Sequence, residues 1–151
     1  MSNLKNQKFK ILATGEIVGF DYLKKVVGLE QERMKKLSEI GELVKFFFVD
    51  KLEYSPELLI WKKLTLNQVK INLQIVFELL EKIPQKEWTN NSIEEAITSY
   101  LKAKELKAGD YLWCLRAALT GRQASPGPFD VAEVLGKEKS LRRIKEGIEK
   151  L

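Results

Sequence analysis

Leu115–Ile144 reads LRAALTGRQASPGPFDVAEVLGKEKSLRRI, and the rest of the chain reads as its scaffold. Leu112, Leu115 and Leu119 recur at i, i+3 and i+7, one face of a helix. Thr120-Gly121 ends that helix, because glycine enters the left-handed conformation past a C-terminus without a Cβ penalty. Arg122 to Pro128 then form a polar loop with two prolines, so its backbone is stiff and partly stripped of N–H donors. Such a loop presents its side chains well. After Phe129, the residues Val131, Ala132 and Leu135 predict a second short helix stopped by Gly136. Leu141, Ile144, Ile148 and Leu151 share one face of a basic terminal helix, with Arg142, Arg143 and Lys145 largely off that face.

Working outward, helical spacing continues almost everywhere. Tyr22, Val26, Leu29, Arg33, Leu37 and Ile40 predict a helix from Asp21, with Gly41 as a break before Phe46-Phe47-Phe48. Three adjacent phenylalanines cannot share one helix face. They are either core at a helix end or a stacking platform for bases, and core is favoured because platforms interleave aromatics with basic residues. Ser55-Pro56-Glu57 starts a short helix with a cap, an N1 proline and an early carboxylate. Thr65 caps a longer one in which Leu66, Val69, Leu73, Val76 and Leu80 form a bundle stripe, closed by Pro84. Ser92 and Glu95 have capping-box spacing at the start of the next, whose stripe is Ile93, Ile97, Tyr100 and Leu101. Lys107-Ala108-Gly109-Asp110 is expected to turn the chain back into the opening stretch. Residues 1–20 show no sustained period and read as a partly ordered lead-in, and no alternating stretch is long enough for a strand. The fold class expected is all-α, a bundle or cage of about seven helices in two consecutive subdomains, 21–64 and 65–151.

At 151 residues with 44% hydrophobic side chains, the chain has ample material for such a core. The single Cys114 excludes an intramolecular disulfide, and between Trp113 and Leu115 it reads as inert packing. With no signal peptide and no apolar run of transmembrane length, the expected setting is the cytoplasm, without a membrane. The 26 basic against 21 acidic residues leave a net charge of +5, which suits a polyanion partner or reflects a lysine-rich composition. Histidine is absent altogether. That excludes the usual histidine metal sites and Ser-His-Asp or Cys-His catalysis. Neither common glycine-rich phosphate loop is present, so no catalytic or metal-binding residue is nominated.

Taken in order, the motifs resemble the C-terminal anticodon-binding region of bacterial glutamyl-tRNA synthetases. Their pattern, roughly LRxAxTG, Ser-Pro, an apolar helix and LGKxxxxxRI, is met by Leu115 to Gly121, Ser125-Pro126, Leu135-Gly136-Lys137 and Arg143-Ile144. Upstream, Glu32-Arg33-Met34-Lys35-Lys36-Leu37-Ser38-Glu39, the phenylalanine run and Glu87-Trp88-Thr89 resemble further family segments. The resemblance covers about residues 22–151 and departs at Cys114, where the family usually has proline, and at Pro128, where it usually has leucine.

The resemblance implies an all-helical, two-subdomain region that reads a tRNA anticodon. The partner would be the glutamate tRNA, with the glutamine tRNA as a further candidate, and the chain would be monomeric beside the parent's catalytic domain. ATP and magnesium would belong to that absent catalytic domain, because the family's ATP-site signature begins with histidine. No cofactor is expected in this chain, and it alone is not catalytic. It would be a fragment or a stand-alone tRNA-binding module; a helical protein–protein adaptor without RNA binding is the contrasting reading.

Anticodon loops are read on splayed bases through hydrogen bonds to their edges and flat groups on their faces. Arg116 offers a planar fork of donors, Ser125 a small hydroxyl, and Pro126 and Pro128 flat apolar surface. In the family the matching arginine and Ser/Thr-Pro pair contact anticodon bases. Lys137, Arg142 and Arg143 are candidates for phosphates, and Arg33 lies in a segment resembling one near the anticodon. Each has a plainer alternative. Arg116 would cap a neighbouring helix or pair with Asp130, and Arg142 and Arg143 would form a solvated face or a bridge to Glu146.

Overall fold

The computed structural model describes residues 8–10, 17–31 and 40–151. Its contacts divide the chain into two compact units, Met1–Leu52 and Glu53–Leu151. Among the described residues are seven α-helices, as expected of an all-α chain.

In the first unit, β1 (Lys8–Lys10) and β2 (Ile17–Gly19) pair antiparallel with Phe9 opposite Val18. Strands of three residues are too short to show a period of two, so the hairpin escaped the reading of the sequence. Helix α1 (Phe20–Glu30) follows directly and packs on α2 (Ile40–Phe48). Val26, Phe46 and Phe47 are buried and the Phe46 and Phe47 rings lie 4.2 Å apart, while Tyr22 meets the edge of Phe48 at 6.0 Å. The phenylalanine run is therefore core at a helix end. Gly41 lies inside the first turn of α2 rather than at a break before it. Arg33 and Leu37 lie outside the described residues.

The second unit begins with a 3₁₀ turn, Pro56–Leu59, and holds α3 (Leu66–Glu81), α4 (Asn90–Ala103), α5 (Ala108–Thr120), α6 (Pro128–Leu135) and α7 (Lys137–Lys150). The division at Leu52 and Glu53 falls earlier than the one expected near Leu64-Thr65. The reason is physical: the 3₁₀ turn packs on α5 and α7, and the Trp113 indole N–H donates to the Leu58 carbonyl at 3.0 Å. Helices α3, α5 and α7 pack against one another, with α4 and α6 alongside. Leu73, Val76 and Leu80 of α3, Leu115, Ala118 and Leu119 of α5, and Ile144 of α7 are fully buried. A Cβ at Gly147 would stand 3.2 Å from the Ala118 Cβ and 3.2 Å from the Tyr54 hydroxyl. The glycine lets α7 approach α5.

Caps explain most boundaries. Thr65 accepts from the Gln68 N–H while the Gln68 side chain accepts from the Thr65 N–H, a full capping box. At α4 the cap is Thr89, which accepts from the Ser92 N–H at 3.2 Å, so Ser92 lies inside the helix it was expected to open. Likewise Ala108, Gly109 and Asp110 belong to the first turn of α5, and the chain reverses just before them. Leu66 is 45% exposed, whereas the rest of its stripe is buried. Trp88 and Ser140 both donate to the Ala132 carbonyl, at 2.8 and 3.2 Å, tying the start of α4 and the body of α7 to α6.

Candidate nucleic-acid interface

The site is assembled where α5 ends. Gly121 adopts φ +65° and its N–H returns to the Ala117 carbonyl at 2.7 Å, so the chain leaves the helix by the left-handed turn that the Thr-Gly pair requires. The buried Thr120 hydroxyl donates to the Arg116 carbonyl at 2.8 Å and accepts from the Arg122 N–H at 3.2 Å, pinning the first loop residue. The loop then folds back over the helix it has just left. One guanidinium nitrogen of Arg116 donates to Ser125 Oγ at 3.2 Å and the other to the Gln123 carbonyl at 2.8 Å. Ser125 in turn donates to the Pro126 carbonyl at 2.9 Å. Arg116 and Ser125, nine positions apart, thus form one unit.

The guanidinium carbon of Arg116 lies 4.8 Å from the centroid of the Trp113 ring, a cation–π contact that holds the group against the indole. Trp113 stacks on Trp61 at 4.7 Å with 28° between the rings, and the Lys62 ammonium sits 5.1 Å from the Trp61 centroid. The two stacked indoles are therefore flanked by a cation at each end, Lys62 beside Trp61 and Arg116 beside Trp113. Pattern reading missed Trp61, Lys62 and Trp113. The available signal was local: Trp113 precedes Arg116 by three residues, so both lie on one helix face, and Trp61-Lys62-Lys63 sets an aromatic beside two cations.

The other candidates separate into surface and framework. Pro128 is half-buried at the first position of α6, whereas Pro126 is buried. Pro126 therefore stiffens the loop instead of presenting a face. Lys137 is turned inward, donating from Nζ to the Glu81 and Ile83 carbonyls at 2.9 and 2.7 Å. It caps the C-terminal end of α3, where a cation meets the negative end of the helix dipole. Arg143 is 1% exposed and donates to the Leu119 carbonyl at 2.6 Å, which fastens α7 to the end of α5. Both side chains thus tie helix ends together, Arg143 from the interior and Lys137 from a half-buried position. Arg142 is exposed. Asp130, weighed as an ion-pair partner for Arg116, accepts from the Asn90 amide. Cys114 is fully buried, with its thiol directed at the Tyr111 carbonyl at 3.1 Å, and burial pushes its pKa up to about 12. It is inert packing.

Residues 7–148 match the family described as an anticodon binding domain. The chain belongs to that family. It is 42% identical over 142 residues to the glutamate–tRNA ligase of Dehalococcoides mccartyi, covering 94% of this chain and 29% of that protein. It is also 42% identical over 130 residues to the glutamate–tRNA ligase of Clostridium botulinum, covering 85% of this chain and 26% of that protein. The crystal structure of a glutamate tRNA ligase from Elizabethkingia meningosepticum superposes with a TM-score of 0.71 at 26% identity, over 87% of this chain and 25% of that one. The chain thus spans under a third of the length of these relatives. Among the described residues, no helix is long and apolar enough to cross a membrane.

Proposed function

We propose that this chain is the anticodon-reading part of a glutamate–tRNA ligase, and that it grips the anticodon loop of the glutamate tRNA through Arg116, Ser125 and Pro128. One observation carries the reading: a part-exposed guanidinium, oriented by Trp113 and by its bonds to Ser125 and Gln123, stands at the mouth of a two-proline loop. Fixed orientation matters because a forked donor discriminates between base edges only when its plane is set in advance. Catalysis, with its ATP and magnesium, belongs to a separate part of the ligase. This chain acts there in the cytoplasm as a monomeric module. The test is a titration of the chain with the glutamate tRNA anticodon stem-loop, the glutamine counterpart and an unrelated hairpin. Preferential binding of the first, weakening by roughly tenfold between about 50 and 200 mM salt, is expected from displaced counterions. Equal, salt-insensitive binding to all three, or none, would contradict the proposal and favour a protein–protein adaptor.

A further inference from the structure

Beside Trp61 lies a pocket of about 580 Å³ lined by Trp61, Lys62, Lys63, Leu64, Gln68, Lys107 and Asp110, within the range of small-ligand sites. Its charge is lopsided, with three lysines against one carboxylate, which favours an anionic guest carrying an amino or imino donor for Asp110. Two features show that the pocket wall is held in place. Trp61 packs on the backbone at Gly109, where an added Cβ would stand 2.9 Å from the indole nitrogen. Lys62 occupies the second position of the turn closed by the Leu64 N–H to the Trp61 carbonyl at 3.1 Å, with φ +53°. That is a left-handed conformation in which glycine or asparagine is the unstrained choice. A lysine held there keeps a cation over the indole at the expense of the turn, and strain of this kind collects at binding sites.

We propose that this pocket takes a second unpaired nucleotide of the same RNA, next in the strand to the one met by Arg116. Its base lies on Trp61 in place of the Lys62 ammonium, its phosphate among Lys62, Lys63 and Lys107, and an amino or imino group of the base donates to Asp110. The inference rests on the anticodon reading. Trp113 joins the two positions, since both Trp61 and the Arg116 guanidinium pack on its ring. Base stacking on an aromatic side chain tolerates any base, so this position supplies grip and Arg116 supplies discrimination.

The test uses the chain and its Trp61→Leu, Lys62→Gly and Arg116→Ala variants, titrated with anticodon stem-loops carrying one abasic position at a time beside the anticodon. One abasic position should weaken the parent by roughly tenfold. Trp61→Leu should weaken the intact RNA by a similar factor, become indifferent to that position and keep its preference among anticodons. Lys62→Gly should melt higher than the parent yet bind several-fold more weakly, which separates lost contact from lost fold. If Trp61→Leu does not fold, the abasic scan on the parent and Lys62→Gly decide. Parent-like binding by Lys62→Gly with no sensitive abasic position overturns the pocket, and the anticodon reading stands provided Arg116→Ala still loses discrimination. Failure of the parent to bind any stem-loop overturns both. Cytidine monophosphate bound as tightly as the stem-loop would mark a free-nucleotide site and also overturn the proposal.

Discussion

At the scale of single residues, cations that look alike in sequence have different roles. Lys137→Ala removes two charge-assisted bonds to the end of α3 and should destabilise the fold by about 1–2 kcal/mol, while RNA affinity in the folded range changes less than twofold. Arg143→Ala deletes a buried fork bonded to Leu119 and should cost on the order of 3 kcal/mol. Thermal melts beside stem-loop titrations check both, and a stable Lys137→Ala that binds RNA poorly would return that lysine to the interface. Two other buried groups set an alkaline limit. Burial, with the nearby Glu146 adding to it, raises the Tyr54 pKa to about 12 from its ordinary 10.0, and burial raises Cys114 to about 12 from 9.0. A raised folded-state pKa means that the unfolded chain loses the proton first, so stability is complete below about pH 9 and falls as pH climbs towards about 12. Cys114→Ala should flatten the early part of that decline and Tyr54→Phe the part above pH 10, read as the slope of melting temperature against pH.

At the scale of elements, much was legible because helices announce themselves by period and punctuation. The stripe Val69, Leu73, Val76, Leu80 is buried as its spacing requires, Thr65 caps as its position requires, and Gly121 turns left-handed after Thr120. What stayed hidden has equally physical causes. Off-stripe position does not separate a solvated arginine from one whose long stem passes inward to a helix-end carbonyl, so Arg143 read as surface. Lys137 read as a phosphate contact because its acceptors at Glu81 and Ile83 are more than fifty residues away. The Trp61–Trp113 stack was invisible for the same reason, being a tertiary meeting of two lone aromatics. Arg116 and Ser125 were nominated separately, and their direct bond is a property of the loop that Gly121 launches. Gly121→Ala places a Cβ in the left-handed region and should cost about 1–2 kcal/mol. It should also weaken the stem-loop more than its effect on melting explains, since the loop carrying Ser125 would leave at the wrong angle. Binding that follows stability alone would show that the loop does not depend on that turn.

At the scale of the whole molecule, the second unit is a helical frame whose buried side chains leave an aromatic and cationic surface along α5 and the Trp61 turn. A net charge of +5 draws any polyanion, so affinity alone says little about what is read. Discrimination is the informative quantity. The most direct measurement is the binding of Arg116→Ala and Arg116→Lys against stem-loops that differ only in the anticodon, with melts of each variant in parallel. If the fork reads a base, Arg116→Ala should lose roughly 1–3 kcal/mol on the glutamate anticodon and much less on altered ones. Arg116→Lys, keeping the charge without the fork, should recover general affinity but not the preference. Unchanged anticodon preference in both variants, with Arg116→Ala melting early, would contradict the account and make Arg116 a clamp for its own loop.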